Sequence, residues 1–361
     1  MINIKKQIYS ILTISVLSRF LIAGSAWVAL LSQRGFSMVE IGIVESVFHV
    51  ASFCFEIPSG IISDVFGRKK SMILSQCMFI LSAVLMIFSE SLWGICLSIV
   101  FDAFGYNFSS GSREALAYDS LKVSGHEDRY RDFASTDLSV YRISNAASLL
   151  CAGLALILGY RTAYIIDIIV LSVCLMVSSG LKEVSVEDDQ FEGTISQRLI
   201  DTTKESILFL VSNRKSIGTM LFNSLIGAFQ TLILFFLQAR LPLCGLDDRL
   251  FGPALFFMTL GGAVGAKLAS KTEHITYRKT GYICAVITLI CFGMSLIVFP
   301  PVMILAGFTV NIAGDLFYVC TDEELNRQFP SSQRATLVSV SSLCFSVVMM
   351  IMSPLFGFIF S

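Results

Sequence analysis

Runs of about twenty apolar residues, each cut by a short polar turn, recur from one end of the chain to the other. Cutting at those turns predicts eleven membrane-spanning helices, over residues 8–31, 38–62, 71–88, 92–116, 138–158, 163–179, 217–239, 250–269, 282–299, 302–320 and 336–360. The first run follows Lys5 and Lys6, and Gly24-Ser25-Ala26 has the look of a leader cleavage site. Arg19 in its middle and the ten spans after it argue for a retained helix. The polar stretch 181–216 is too long for a turn. It opens on Glu187-Asp188-Asp189, and then Ile195, Leu199, Thr203, Ile207 and Leu210 recur at helical spacing. Either an amphipathic helix on the membrane surface or a soluble linker helix satisfies that pattern.

Composition narrows the class. Of 361 residues, 55% are hydrophobic and 15% charged, and the mean hydropathy is +0.75, more apolar surface than a soluble fold can hide. A formal net charge of -1 offers no basic face for nucleic acid. Most of the ten cysteines lie inside apolar runs with no C-x-x-C pair or histidine cluster, so they read as small hydrophobes and imply no metal or other cofactor. No G-x-x-x-x-G-K-[ST] loop supports direct use of ATP. No Ser/His/Asp set points to an enzyme.

Lys and Arg fall unevenly between the two sets of turns. The N-terminus and every second loop hold Lys5, Lys6, Arg68, Lys69, Lys70, Lys122, Arg129, Arg131, Lys182 and several more, whereas the opposite loops hold only Arg34, Arg161, Arg240 and Arg249. The positive-inside rule makes the N-terminus and the 181–216 connection cytoplasmic.

Between the second and third spans the chain reads Glu56-Ile-Pro-Ser-Gly60-Ile-Ile-Ser-Asp64-Val-Phe-Gly67-Arg68-Lys69-Lys70. Gly60 permits close helix approach, Gly67 a tight turn, and Asp64 with Arg68 charge-assisted bonds. The segment matches the signature G-x-x-x-D-x-x-G-R-K in type, spacing and position, and on it the chain resembles the major facilitator superfamily. Arg34-Gly-Phe-Ser37 with Glu45, the stretch from Ser110 to Leu121 that includes Arg113 and Glu114, and Phe329 to Thr336 look like one bacterial branch of it. A faint repeat at Gly261 to Lys267, leading to Arg278-Lys279, fits a two-half plan.

The resemblance implies an all-α integral membrane fold. Residues 1–180 would form a six-helix half, 181–216 a cytoplasmic linker, and 217–361 a second half of five helices, with the family's twelfth helix absent. It implies alternating access in a bacterial inner membrane, and a cytoplasmic gate built from Glu56, Gly60, Asp64, Gly67, Arg68 and Lys69, with Arg113 and Glu114 in a charge relay toward Asp64. The partners implied are a small-molecule substrate, a coupling proton and the lipid bilayer. The Arg-x-x-Gln-Gly and Gly-Pro-rich signatures of proton-coupled drug antiporters are missing from the fourth and fifth spans.

A charge at a helix centre costs about 2.5–3.5 kcal/mol on insertion scales, so each one needs a partner or a wet cavity. Arg19 and Asp102 fall near the middle of spans one and four, which line the family's central cavity. There they either serve the cavity or form a static ion pair. Glu45, His49 and Glu56 share a stripe of span two; Glu45 is either proton-coupling or structurally paired. Gln230, Asn311 and Asp315 are the polar groups of the second half, with Phe235, Phe317 and Tyr318 nearby. Arg142 and Asp167 read as packing residues. The leading expectation is export of drug-like or amphipathic compounds. The alternatives are uptake or facilitated diffusion of a polar metabolite, and a truncated relative that does not transport.

Overall fold

The computed structural model describes residues 3–184, 204, 214–272, 275–328 and 334–361, leaving aside the side chains of 214–216, 326–328 and 334–339. The amphipathic segment expected at 195–210 and most of the Phe329–Thr336 stretch lie outside that set. Thirteen α-helices and one 3-10 turn account for the described elements, and no strand occurs among them. They are α1 (Ile4–Leu17), α2 (Ile22–Gln33), α3 (Met38–Phe66), α4 (Arg68–Phe88), α5 (Leu92–Ser109), α6 (Ser112–Val123), α7 (Tyr130–Leu158), α8 (Tyr160–Ser179), α9 (Arg214–Leu243), α10 (Asp248–Ala269), α11 (Tyr277–Ser295), α12 (Pro300–Gln328) and α13 (Arg334–Phe360).

All eleven expected spans are helical, and most run past their apolar limits because charged ends continue the helix into water. Ten are long and apolar enough to cross a membrane. The remaining one, α11, is 19 residues long and carries Arg278 and Lys279 in its first turn, which dilute its apolar average. Trp93, Phe88 and Phe358 are 82%, 78% and 76% exposed, large apolar side chains of the kind a bilayer accommodates.

Two expected helices are interrupted. Span one breaks at Ser18–Leu21 into α1 and α2, and span four breaks at Ser110-Gly111 into α5 and α6. Gly111 adopts a left-handed φ of 74°, which a side chain would disfavour.

By contact the chain forms two compact units. The first comprises Met1–Ser25, Val50–Cys151 and Leu158–Thr203. In it α4 packs on α5, α6 and α8, and α1 on α6 and α8, around Ile11, Ile14, Met72, Leu116, Leu121 and Phe133. Buried hydroxyls and amides join the helices: Ser75 Oγ donates to the Gly105 carbonyl at 2.7 Å. Ser52 Oγ donates to Asn107 Oδ1, and Asn107 Nδ2 to the Ser52 carbonyl, both at 2.8 Å.

The second unit comprises Ala26–His49, Ala152–Ile157 and Lys204–Ser361. Here α9 packs on α11, α12 and α13, and α10 on α12. Gly261 and Gly265 let α10 lie directly on the Phe308 and Ile312 carbonyls of α12. The first half of α3 crosses α13 just as closely, with Gly42 against the Ser353 carbonyl and Gly357 against that of Met38. Ser46 Oγ donates to the Met350 carbonyl at 2.7 Å in the same seam.

Candidate functional site: a polar cavity and a charged loop

Three helices of the second unit line the cavity, and a fourth, α10, supports it from behind. It has a volume of about 360 Å3 and is lined by α9, α12 and α13, with Gln230, Asp315, Asp322, Tyr318 and Phe345 on its wall beside Asn223, Ser224, Ser341 and Ser342. Gln230 Nε2 donates to Asn311 Oδ1 at 2.9 Å and to Asp315 Oδ1 at 3.1 Å. Asn311 lies behind the wall, 6% exposed. Its Nδ2 donates to the carbonyls of Met258 and Gly307, which anchors the cluster to α10. The three polar residues expected of the second half are thus one hydrogen-bonded set. Gly314 is required beside it, since a Cβ there would strike the Gln230 amide. Among the described residues the lining contains two carboxylates and no Lys, Arg or His. Such a wall favours a solute that donates hydrogen bonds or carries positive charge, and Tyr318 and Phe345 give it aromatic faces.

Phe345 also contacts His49, with ring centroids 5.7 Å apart. His49 Nε2 lies 3.3 Å from Glu45 Oε1, one helical turn away. Glu56, one stripe further along α3, has another environment. The electrostatic neighbours of the Tyr106 hydroxyl are Glu56, Arg19 and Tyr141, together with Glu114. Glu56 thus shares its electrostatic surroundings with Arg19 and with Glu114.

Arg19 stands in the break between α1 and α2, its guanidinium 4.7 Å from the Tyr141 ring centroid. The described ion pairs include none between Arg19 and Asp102. Asp102 also takes part in interactions of its own. The break itself is held by Asp167 of α8. Its Oδ1 accepts from Ile22 N at 2.8 Å and its Oδ2 from Gly24 N at 2.9 Å, satisfying donors that a helix start leaves open. Ser148 Oγ donates to the Leu21 carbonyl at 2.8 Å. Asp167 is thus the packing residue expected of it. Arg142 is exposed and does not share that role.

The signature loop closes α3 and opens α4. Gly67 has a φ of 104°, and a Cβ there would collide with the Glu183 carboxylate. Asp64 Oδ1 pairs with Arg68 at 2.6 Å. Arg68 also donates to Ser63 Oγ at 3.2 Å, and Ser63 Oγ lies 2.8 Å from Ser112 Oγ. Next to Ser112, Arg113 holds Glu114 at 2.6 Å and Asp137 at 3.2 Å, and Ser15 Oγ donates to Asp137 at 2.5 Å. Two serine hydroxyls thus link the Asp64–Arg68 pair to the start of α6, where Arg113 follows in sequence. Gly60 has open space where a Cβ would stand, so close helix approach is not its role in this conformation. Glu183 accepts from the Lys69 amide at 3.1 Å and so places an anion at the start of α4, where Arg68, Lys69 and Lys70 oppose the helix dipole.

Three of these residues escaped the sequence reading. Asp137 fell one residue outside the apolar run, yet α7 starts at Tyr130 and leaves Asp137 7% exposed. The cost of a buried carboxylate was the signal that could have found it. Glu183 follows the sixth span in a polar stretch where acids are common, and its capping role is a matter of tertiary position. Tyr141 had no signal beyond its neighbour Arg142.

A sequence model of the Major Facilitator Superfamily matches residues 8–354. The chain belongs to this superfamily. It is 22% identical over 341 residues, 92% of this chain and 84% of the relative, to the uncharacterized MFS-type transporter YxaM of Bacillus subtilis (strain 168). Among solved structures it resembles the nucleoside transporter NupG, with a TM-score of 0.74 at 16% identity, covering 99% of this chain and 91% of that one. A D-xylose-proton symporter gives 0.69 at 13% identity, covering 97% and 90%. The expected fold is confirmed: the chain is a multi-pass membrane protein of the transporter family, and at these identities the structural likeness carries the fold alone.

Proposed function

We propose that this protein is a secondary transporter that moves a small organic solute by alternating access of its halves, 1–180 and 217–361. The solute we infer is amphipathic and either cationic or rich in hydrogen-bond donors. The observation that carries the reading is the cavity wall, where Asp315 and Asp322 stand with Gln230, Tyr318 and Phe345 and, among the described residues, no basic side chain. A cation with an apolar body fits acids set beside aromatic rings, which keeps export of drug-like compounds as the leading reading. Uptake of a hydroxyl-rich metabolite is the second, favoured by Ser224, Ser341 and Ser342 on the wall and by the likeness to nucleoside and sugar transporters. Positive-inside loops support a cytoplasmic N-terminus in a bacterial inner membrane. Glu45, Glu56 and Asp102 are the carboxylates we propose for proton coupling.

The test is flux of tetraphenylphosphonium, and separately of uridine, in proteoliposomes with and without a pH gradient. Saturable tetraphenylphosphonium flux that Asp315→Asn lowers at least tenfold is expected. Saturable uridine flux alone selects the second reading. Cation flux unchanged by Asp315→Asn removes the cavity from the pathway.

A further inference from the structure

A second concavity, about 580 Å3 in volume, lies in the first unit, far along the sequence from the polar cavity's residues. The start of α1 and the α6–α7 turn form it, with Lys5, His126 and Arg129 at its mouth beside Asp132, and Ile8, Leu12 and Phe133 among its apolar floor residues. Lys5 and Arg129 are exposed, and neither takes part in an ion pair among the described residues. His126 Nδ1 is held by the Ser124 carbonyl at 2.7 Å.

Position along the spans gives this groove its meaning. The candidate spans begin at Ile4 and Glu127, so Lys5 and Arg129 sit at their very ends, at headgroup depth. From Lys5 to Leu12 the helix advances roughly 10 Å toward the hydrocarbon at 1.5 Å per residue, and the lining turns from charged to apolar over that length. Tyr9, 69% exposed beside the groove, is the residue type that favours the interface.

We propose that this groove binds an anionic glycerophospholipid of the phosphatidylglycerol type. The phosphate lies between Lys5 and Arg129, and the glycerol hydroxyls donate to Asp132. One acyl chain runs along Ile8, Leu12 and Phe133. Two fixed cations against one carboxylate leave the mouth net positive, which selects an anionic lipid over phosphatidylethanolamine or phosphatidylcholine.

The experiment is native mass spectrometry and thermal melting of the full chain in phosphatidylcholine nanodiscs, with phosphatidylglycerol or phosphatidylethanolamine added. Phosphatidylglycerol is expected to stay bound and to raise the melting temperature. The double variant Lys5→Gln/Arg129→Gln should lose that retention on the order of tenfold or more, while melting like wild type in phosphatidylcholine alone. The variant Lys6→Gln/Arg131→Gln, which removes two basic residues outside the groove, should keep it. Equal retention by wild type and the groove variant overturns the proposal. So does equal loss in the two double variants, which would mean diffuse attraction to basic ends, or equal stabilisation by phosphatidylethanolamine.

Discussion

Replacing Asp167 with Ala tests whether one buried carboxylate holds span one in two pieces. The carboxylate accepts from Ile22 N and Gly24 N at 2.8 and 2.9 Å, and Asp167 is 3% exposed. An orphaned buried donor costs about 1–3 kcal/mol, so losing both acceptors costs about 2–6 kcal/mol before relief of the buried charge is subtracted. With that relief, a net loss of about 2–4 kcal/mol is expected, at or above the upper end of ordinary N-caps. Asp167→Asn keeps one acceptor oxygen and should fall between Ala and wild type. Ser148→Ala removes a single neutral bond to Leu21 and should cost about 1 kcal/mol. Equilibrium unfolding in mixed micelles, followed by tryptophan fluorescence, measures all three. Trp27 in α2 lies five residues from Ile22 and 5.2 Å from the Phe235 ring, so it reports on that segment. An Asp167→Ala protein with the wild-type midpoint would refute the capping account.

Gly67→Ala should destabilise by about 1–3 kcal/mol, because φ of 104° is a glycine conformation and Glu183 occupies the space a Cβ needs; a melting curve beside Glu183→Ala, expected to lose about 1 kcal/mol, separates strain from capping. Asp64→Asn weakens its 2.6 Å bridge to Arg68 away from the cavity and should abolish transport while ligand binding stays measurable; normal flux at matched expression refutes that role. Gly42→Val pushes α3 off the Ser353 carbonyl and should cost about 1–3 kcal/mol of stability, with new thiol labelling at a cysteine placed at Ser46 as the readout.

Gln230, Asn311 and Asp315 were legible because a polar group in an apolar run announces itself by its insertion cost, and their meeting at 2.9 and 3.1 Å follows from helices that must bury such groups together. Arg19 was legible for the same reason, but its partner was not. The sequence offered Asp102 as one alternative, and packing placed Tyr141 against the guanidinium.

The positions of the apolar spans, the positive face and the family motif are properties of one segment at a time, so hydropathy and local spacing determine them without reference to any neighbour. Breaks, caps and cavities are properties of pairs of segments. Nothing in residues 18–21 requires the chain to leave the helix there; Asp167 and Ser148, far away in sequence, make the break possible by satisfying the backbone groups it frees. Nothing near Gly67 names Glu183 either. In a bilayer no water satisfies such groups, and so the tertiary fold alone decides where a spanning helix can stop and which polar side chains meet.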